Sequence, residues 1–126
     1  MQPSQPMNLE KALSELETYW SPRIIGQVND QYIKVAKLKG EFTWHAHDDE
    51  DEMFLVVYGR LKIQLDDGEV NLKAGDAYVV PRGVMHNPVA DEECGVVLIE
   101  TVSTRHTGDV IDPRTRTIEQ QRLGSK

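Results

Sequence analysis

Cysteine, basic patches and long apolar runs are nearly or wholly missing from this sequence. The single cysteine, Cys94, excludes an intramolecular disulfide, and the acidic residues at 91–93 beside it would raise a thiol pKa, which disfavours a nucleophilic role. No segment approaches the roughly 20 apolar residues that a membrane span needs. The N-terminus also lacks the basic and apolar regions of a signal peptide. We therefore expect a cytoplasmic protein that does not bind or span a membrane.

Most of the net negative charge comes from one short segment of the chain. The chain has 126 residues and a net charge of −7, of which the consecutive acids at 48–52 supply five negative charges. No cluster of Lys and Arg indicates nucleic-acid binding, so we expect no nucleic-acid partner. The length suits one domain, which can bury a core without disulfides.

The first part of the chain predicts a short amphipathic helix. Residues 1–6 are rich in Pro, Gln and Ser and predict a disordered start. Asn8 is a favourable N-cap, and apolar residues then recur at helical spacing as far as Trp20, with Pro22 predicted to end the helix. We expect the apolar face of this helix to pack on the main body or on a partner chain.

The middle of the chain predicts an all-β domain. Between residues 24 and 102, seven or eight short runs alternate or are rich in β-branched residues, and Asp66-Asp67-Gly68 predicts a hairpin turn. This pattern is typical of an antiparallel sandwich or barrel. After it, apolar content falls and at most one weak helical turn is predicted around residues 117–123. The expected division is an N-terminal arm and helix (1–23), a β-barrel (24–104) and a C-terminal tail (105–126).

Two histidines and one of five acids form the first candidate site. His45 and His47 are two residues apart, and on a strand such residues project from the same face. The chain then turns through the acids and returns as a strand opened by Glu52, with Phe54, Val56 and Tyr58 expected on one face. Two imidazoles and a carboxylate on facing strands can share a metal ion.

A third imidazole would come from His86, which follows a loop made rigid by Pro81 and Gly83. Glu50 has the same strand parity as Glu52 and is the alternative carboxylate. The other acids, Asp48, Asp49 and Asp51, are interpreted as a solvated turn whose negative potential would attract cations and disfavour strongly anionic substrates.

These residues resemble the two motifs of the cupins, a superfamily of small double-stranded β-helix (jelly-roll) proteins. The first motif matches as Gly40, His45-x-His47, four residues, Glu52, six residues and Gly59. The second matches as Gly75, five residues, Pro81-x-Gly83, two residues and His86. The resemblance covers roughly residues 32–102, and it is to small single-domain bacterial cupins. It implies an all-β, cupin-type jelly-roll barrel with one short N-terminal helix.

The resemblance also implies a ligand set, namely His45, His47, Glu52 and His86. Three imidazoles and a carboxylate suit a divalent Fe, Mn, Ni, Zn or Cu ion. The six-residue spacing to Gly59 favours Glu52 over Glu50. Two features depart from the family pattern. Gly40 is one residue closer to His45 than in the family, which predicts a shifted turn or bulge. Ala90 stands where the second motif has a structural asparagine, although Asn87 lies nearby.

Three functions are compatible with this set. One is a metal-dependent enzyme, isomerase- or dioxygenase-like, that acts on a small hydroxy, keto or phenolic compound. The second is a non-catalytic module that binds metal or a small ligand. The third is a homodimer in which the metal only stabilises the barrel; cupins commonly form dimers. Likeness to mannose-6-phosphate isomerases is frequent among small cupins, but Arg82 is the one clear basic residue in the motif loops, which disfavours a phosphosugar.

No catalytic residue can be named from the sequence. Glu41 and Thr43 share the histidines' parity and could line the cavity, whereas Trp44 should face away from it. Trp44, Phe54, Tyr58 and Tyr78 are interpreted as core residues. His106, beyond the last core strand, is interpreted as a surface residue, with a lid residue over the site as the alternative.

Overall fold

The described chain consists of seven β-strands and two short helices, in agreement with an all-β fold. The computed structural model describes residues 5–108, 110 and 112–123, so part of the predicted disordered start (1–4) and part of the predicted tail lie outside the described residues. The elements, in chain order, are α1 (Leu9–Ser14), β1 (Arg23–Val28), β2 (Gln31–Glu41), β3 (Glu52–Tyr58), β4 (Arg60–Leu65), β5 (Gly68–Lys73), β6 (Ala77–Val80), β7 (His86–Thr101) and α2 (Ile118–Leu123). Among these residues no helix is long and apolar enough to cross a membrane.

Strand β7 organises the sheet. The strands follow the order β1-β2-β7-β3-β6, and β4 pairs with both β5 and β7. The first residues of β7 pair with β4, whereas its second half lies between β2 and β3, and all of these pairs are antiparallel. One strand therefore joins both parts of the jelly roll, and its first residue, His86, lies close to the end of β2.

Two apolar clusters lie on opposite faces of this sheet. Inside the barrel, alternate residues of β2, β3 and β7 pack together, among them Ala36, Leu38, Phe54, Val56, Val96 and Leu98. On the outer face, Leu13 and Leu16 pack against Val35 and Val97. The apolar face of α1 thus packs on the body of its own chain, as one of the two expected alternatives.

The N-terminal helix is shorter than its apolar pattern predicts. The N-cap is confirmed, because Asn8 Oδ1 accepts a hydrogen bond of 2.8 Å from Lys11 N–H. The helix nevertheless ends at Ser14, long before Pro22. Trp20 has a left-handed backbone (φ 58°) and stacks on Phe42 with ring centroids 4.6 Å apart. Tertiary packing, and not helical periodicity, buries the later apolar residues.

Two of the register irregularities in the strands bear on the predicted side-chain directions. The predicted shift near Gly40 is confirmed as a break in the β2–β7 register between Leu38 and Gly40. A second break, between Val56 and Tyr58, was not predicted. It places Tyr58 with the outer apolar cluster, so the expected common face of Phe54, Val56 and Tyr58 holds only for the first two.

Candidate metal centre

Four side chains converge at one end of the barrel. One nitrogen from each of His45, His47 and His86 and one oxygen of Glu52 all lie within 4.8 Å of one another. The two first histidines belong to the segment between β2 and β3, Glu52 is the first residue of β3, and His86 is the first residue of β7. All four are buried. Residues predicted from two distant motifs are therefore brought together.

Backbone pairing, and not a continuous strand, places the histidines. Strand β2 ends at Glu41, so the expectation of a strand running to His47 is wrong. His45 instead forms an isolated bridge with His86, in which each N–H donates to the other's carbonyl oxygen at 3.0 and 2.9 Å. The His47 carbonyl oxygen accepts from Gly83 N–H at 2.8 Å. These bonds join the two motif loops directly.

Hydrogen bonds to carbonyl groups set the tautomers of two imidazoles. His45 Nδ1 lies 2.8 Å from the Thr43 carbonyl oxygen, and His86 Nδ1 lies 3.0 Å from that of Val84. A carbonyl oxygen can only accept, so in each ring Nδ1 carries the hydrogen and Nε2 keeps a lone pair. Orientation of the ring by a bond at the other nitrogen is typical of metal-binding histidines.

Several buried polar atoms of the cluster lack a hydrogen-bond partner among the described residues. Besides His47 Nδ1, three such atoms face one another, namely His47 Nε2, His86 Nε2 and Glu52 Oε1, with Oε1 3.5 Å from His47 Nε2 and 3.4 Å from His86 Nε2. Buried polar atoms are nearly always satisfied, because leaving one unpaired costs about 1–3 kcal/mol. A divalent cation would satisfy all three at once, so the residues present fit a metal ion.

The protonation states also suit a cation. Burial and the neighbouring His86 lower the pKa of His45 to about 4, so its ring is neutral at neutral pH, as metal binding requires. Burial alone would raise the pKa of Glu52, but the Glu100 carboxyl group and the imidazoles of His47 and His86 beside it hold that pKa well below its ordinary value. Burial and the charge of Glu52 raise the pKa of Glu100 well above its ordinary value. Glu100 is therefore the protonated donor and Glu52 the carboxylate.

The acidic residues separate into distinct roles. Glu50 lies outside the four-residue cluster and accepts a hydrogen bond of 3.0 Å from Ser103 Oγ. Asp48 and Asp49 are exposed, as expected for a solvated turn. Asp51 does more than that, because its Oδ1 accepts a 2.9 Å bond from Arg82 N–H and so ties the turn to the loop before His86.

A small, mostly apolar cavity of about 30 Å³ adjoins the cluster. Its walls come from several elements and comprise Trp20, Pro22, Ala36, Leu38, Phe42, His45, Glu52, Phe54, Pro88, Leu98 and His106. Neither Glu41 nor Thr43 lines it, contrary to expectation, because strand parity fails beyond residue 41. Phe42 takes that place, while Trp44 is 38% exposed and so is not a core residue. A larger groove of about 640 Å³ between β4 and β5 touches none of the four cluster residues.

The described residues of the segment 104–117 (104–108, 110 and 112–117), which we term the strap, cover this end of the barrel. Gly108 has φ +59° and lies so close to the Ala46 carbonyl oxygen that a Cβ would collide with it. Arg114 Cζ lies 4.7 Å above the centroid of the Phe42 ring, and Arg114 Nη1 donates to the Glu41 carbonyl oxygen at 2.9 Å. The predicted helical turn near the C-terminus is confirmed as α2.

His106 is part of the strap and not a free surface residue, so the surface interpretation is wrong. Its ring lies 5.3 Å from that of Phe42 and lines the cavity. Nδ1 accepts from Arg116 N–H at 2.9 Å, which leaves the hydrogen on Nε2. Burial lowers the pKa of His106 to about 3, so the imidazole is a neutral donor. His106 follows the last strand, where no periodic pattern in the sequence could predict that its side chain is buried.

Comparison with known families agrees with this geometry. The cupin-domain family matches residues 32–102, which is more than half of the chain. The chain belongs to the cupin family. This match spans both motifs, nearly all of β2 and the strands β3 to β7, and so all four residues of the cluster.

Three similar proteins illustrate the relationship of this cupin to others. The crystal structure of a cupin-2 domain protein from Shewanella frigidimarina is 44% identical, covers 75% of this chain and 93% of its own, and superposes with a TM-score of 0.74. The uncharacterized protein YdbB of Bacillus subtilis is 37% identical over 84 residues, 66% of this chain and 74% of its own. The pectin degradation protein KdgF of Dickeya dadantii is 38% identical over 63 residues, 50% of this chain and 56% of its own.

The sequence of this cupin did not lead us to predict that two charged residues beside the cluster are buried. Lys34 and Glu100 are 0% and 2% exposed, although charged residues on strands usually face water. A weak signal existed for Lys34, because it shares strand parity with Ala36 and Leu38, both of which belong to the inner core. Glu100 has no comparable signal, because nearly every neighbour in β7 is apolar and so shows no alternation.

Proposed function

We propose that His45, His47, Glu52 and His86 bind one divalent transition-metal ion (Fe, Mn, Ni, Zn or Cu), and that the protein is a metal-dependent enzyme. The observation that carries this proposal is the group of buried, unpartnered nitrogens and oxygen that face one another within 4.8 Å. A purely structural cluster would leave these atoms unsatisfied, whereas a bound cation satisfies them.

The proposed substrate is a small hydroxy, keto or phenolic compound. The bound ion would supply Lewis-acid polarisation of a substrate oxygen, or a site for dioxygen if it is Fe or Cu. Around it, Phe42, Trp20 and Leu38 offer apolar contact, and His106 offers an Nε2 hydrogen toward a substrate oxygen. Arg114 covers the Phe42 ring on this side.

Charge argues against a phosphosugar, and hence against a mannose-6-phosphate isomerase-like activity. No Lys or Arg lines the apolar cavity beside Phe42, and in the second pocket, which His47 lines, Arg105 faces the three acidic residues at 48–50. The likeness to the pectin degradation protein KdgF favours a hydroxy or keto compound, because breakdown of a polysaccharide yields such molecules. Turnover measurements distinguish an isomerase-like from a dioxygenase-like reaction.

Several other features belong to the same proposal. We propose a cytoplasmic homodimer, without nucleic-acid or membrane partners, divided into an arm (1–23), a barrel (24–104) and a tail (105–126). Partly buried apolar side chains on the outer sheet face, among them Ile25, Leu55 and Ile99, support the pairing. The alternative function is a non-catalytic module that holds a metal or a small ligand, since a fold by itself does not decide catalysis.

The metal assignment is tested by elemental analysis of the purified protein and three alanine variants. We expect His47→Ala and Glu52→Ala to lose the metal. The matched control is Glu50→Ala, which removes a nearby carboxylate outside the cluster and should retain it. Retention in all three variants would refute the proposed site.

Catalysis is tested by turnover with the metal-loaded protein. An oxygen electrode with catechols and other phenols detects a dioxygenase, and NMR of hydroxy and keto acids or sugars detects an isomerase. Turnover that disappears in Glu52→Ala supports an enzyme. Saturable binding of these compounds without any turnover supports the alternative, a binding module.

A further inference from the structure

A fully buried lysine lies behind the proposed metal centre. Lys34 points into the barrel from β2, on the same face as Ala36 and Leu38, and is 0% exposed. Lysine is almost never fully buried unless it is paired. Its Nζ lies 2.5 Å from Glu100 Oε1, and the two side chains are 0% and 3% exposed. An amino group and a carboxyl group in close contact are thus enclosed within a largely apolar core.

The register of the sheet connects this pair to the cluster. Glu100 of β7 is the direct cross-strand partner of Glu52 of β3. Directly opposed residues lie on the same face of a sheet with Cβ atoms about 4.5–5.5 Å apart, so the carboxyl groups of Glu100 and Glu52 lie side by side. Glu52 therefore has Glu100 on one side and the imidazoles of His47 and His86 on the other, with its Oε1 3.5 and 3.4 Å from their Nε2 atoms.

Stability alone gives a poor reason for this arrangement. Removing an ammonium group and a carboxyl group from water is expensive, and replacing buried ionisable groups of this kind by apolar residues of similar volume is often neutral or stabilising. Here the pair is also incompletely satisfied, because Lys34 Nζ and Glu100 Oε2 have no well-aligned hydrogen bond among the described residues. A role at the neighbouring site accounts for such a pair better than a role in packing.

We propose that Lys34 and Glu100 are positioning residues, which hold the Glu52 carboxylate with one oxygen toward the three imidazoles and so set the metal affinity of the centre. Lys34 anchors Glu100, and Glu100 anchors Glu52. This inference rests on the proposed metal site. Hydrogen bonds to a ligating carboxylate restrict its rotation, and removing such a partner typically lowers metal affinity about 10- to 100-fold.

The test compares metal affinity with metal-free stability in the full-length protein. The key variant is the double substitution Lys34→Met with Glu100→Leu, which keeps volume and removes the amino group and the carboxyl group together. Zn²⁺ and Co²⁺ affinities are measured by competition with a chromophoric chelator, and thermal unfolding is measured after metal removal. Lys62→Met is the matched control, because Lys62 forms an ion pair with Glu69 that is 35% and 47% exposed and far from the cluster.

We expect the double variant to lose about 10- to 100-fold in affinity for both ions. Its metal-free melting temperature should be equal to or above that of the unsubstituted protein, and its Co²⁺ absorption spectrum should be altered. Glu100→Gln keeps a donor to Glu52 and should stay close to the original affinity. Lys62→Met should change neither property.

Two further outcomes separate this inference from the proposed function. If the double variant binds both ions with unchanged affinity while Glu52→Ala does not bind them, Lys34 and Glu100 have only a structural role and the inference fails alone. If Glu52→Ala binds as tightly as the unsubstituted protein, or if the latter binds neither ion, the metal site itself is wrong and both proposals fall. A double variant that does not fold would also overturn the inference, because it would make the pair a folding requirement.

Discussion

The buried imidazole of His106 should make the metal-free protein sensitive to acid in a way that one substitution removes. Its pKa is lowered from 6.5 to about 3, mainly because burial in the strap disfavours the charged ring. The unfolded chain therefore binds this proton more readily than the folded one. Stability from this residue is fully present above pH 6.5 and falls as the pH drops from 6.5 toward 3.

The size of the effect follows from the two pKa values. At pH 5 the unfolded histidine is almost fully protonated and the folded one is neutral, so the loss of unfolding free energy relative to pH 7.5 is about 2 kcal/mol. The variant His106→Asn does not titrate, and its side-chain oxygen can still accept from Arg116 N–H. Its unfolding free energy should therefore fall by about 2 kcal/mol less between these pH values than that of the unsubstituted protein.

Urea unfolding at pH 7.5 and 5.0, in the presence of a chelator, measures this difference. His45, whose pKa is also lowered, contributes equally to both proteins and cancels in the comparison. An NMR titration of the His106 ring gives an independent reading, with no chemical-shift change expected above pH 4.5 in the folded state. An identical pH dependence in the two proteins would mean that the ring is solvated and that the strap does not bury it.

Two further predictions concern the strap and the thiol. Arg114→Ala should reduce the free energy of unfolding by about 1 kcal/mol, because it removes a cation–π contact with Phe42 and a hydrogen bond to backbone. Urea unfolding measures this loss. An Arg114→Lys variant as stable as the unsubstituted protein would contradict a role for the planar guanidinium. Cys94 should react with DTNB on the order of 10³-fold more slowly at pH 7.5 in the folded protein than in denaturant, because burial raises the pKa of its thiol to about 12. Equal rates would show that the thiol is exposed.

Much of the fold and of the cluster was predictable, because it depends on short-range regularities. Alternating runs and turn residues predict the antiparallel strands of the barrel, and the six-residue spacing from Glu52 to Gly59 selects the carboxylate that the structure places beside the histidines, with Glu50 bonded instead to Ser103. The Asn8 N-cap and the irregularity at Gly40 were readable for the same reason. Each depends on residues a few positions apart.

The failures occur where distant parts of the chain overrule a local pattern. Apolar spacing predicts a helix as far as Trp20, but that indole leaves the helical path to stack on Phe42. Alternation predicts Glu41 and Thr43 in the cavity, but the strand ends at residue 41 and Phe42 occupies that wall. A break in register likewise turns Tyr58 outward.

The sequence by itself determined the class of fold and the kinds of atoms offered to a metal, because strand period, turn residues and motif spacing are local properties. Tertiary structure alone decided how those atoms are used. Three contacts join residues that are tens of positions apart. Glu100 pairs with Glu52 across two strands, Lys34 is buried behind them, and the His106 ring packs against Phe42. Such contacts are set by sheet register and by packing over the barrel end, neither of which a linear pattern contains.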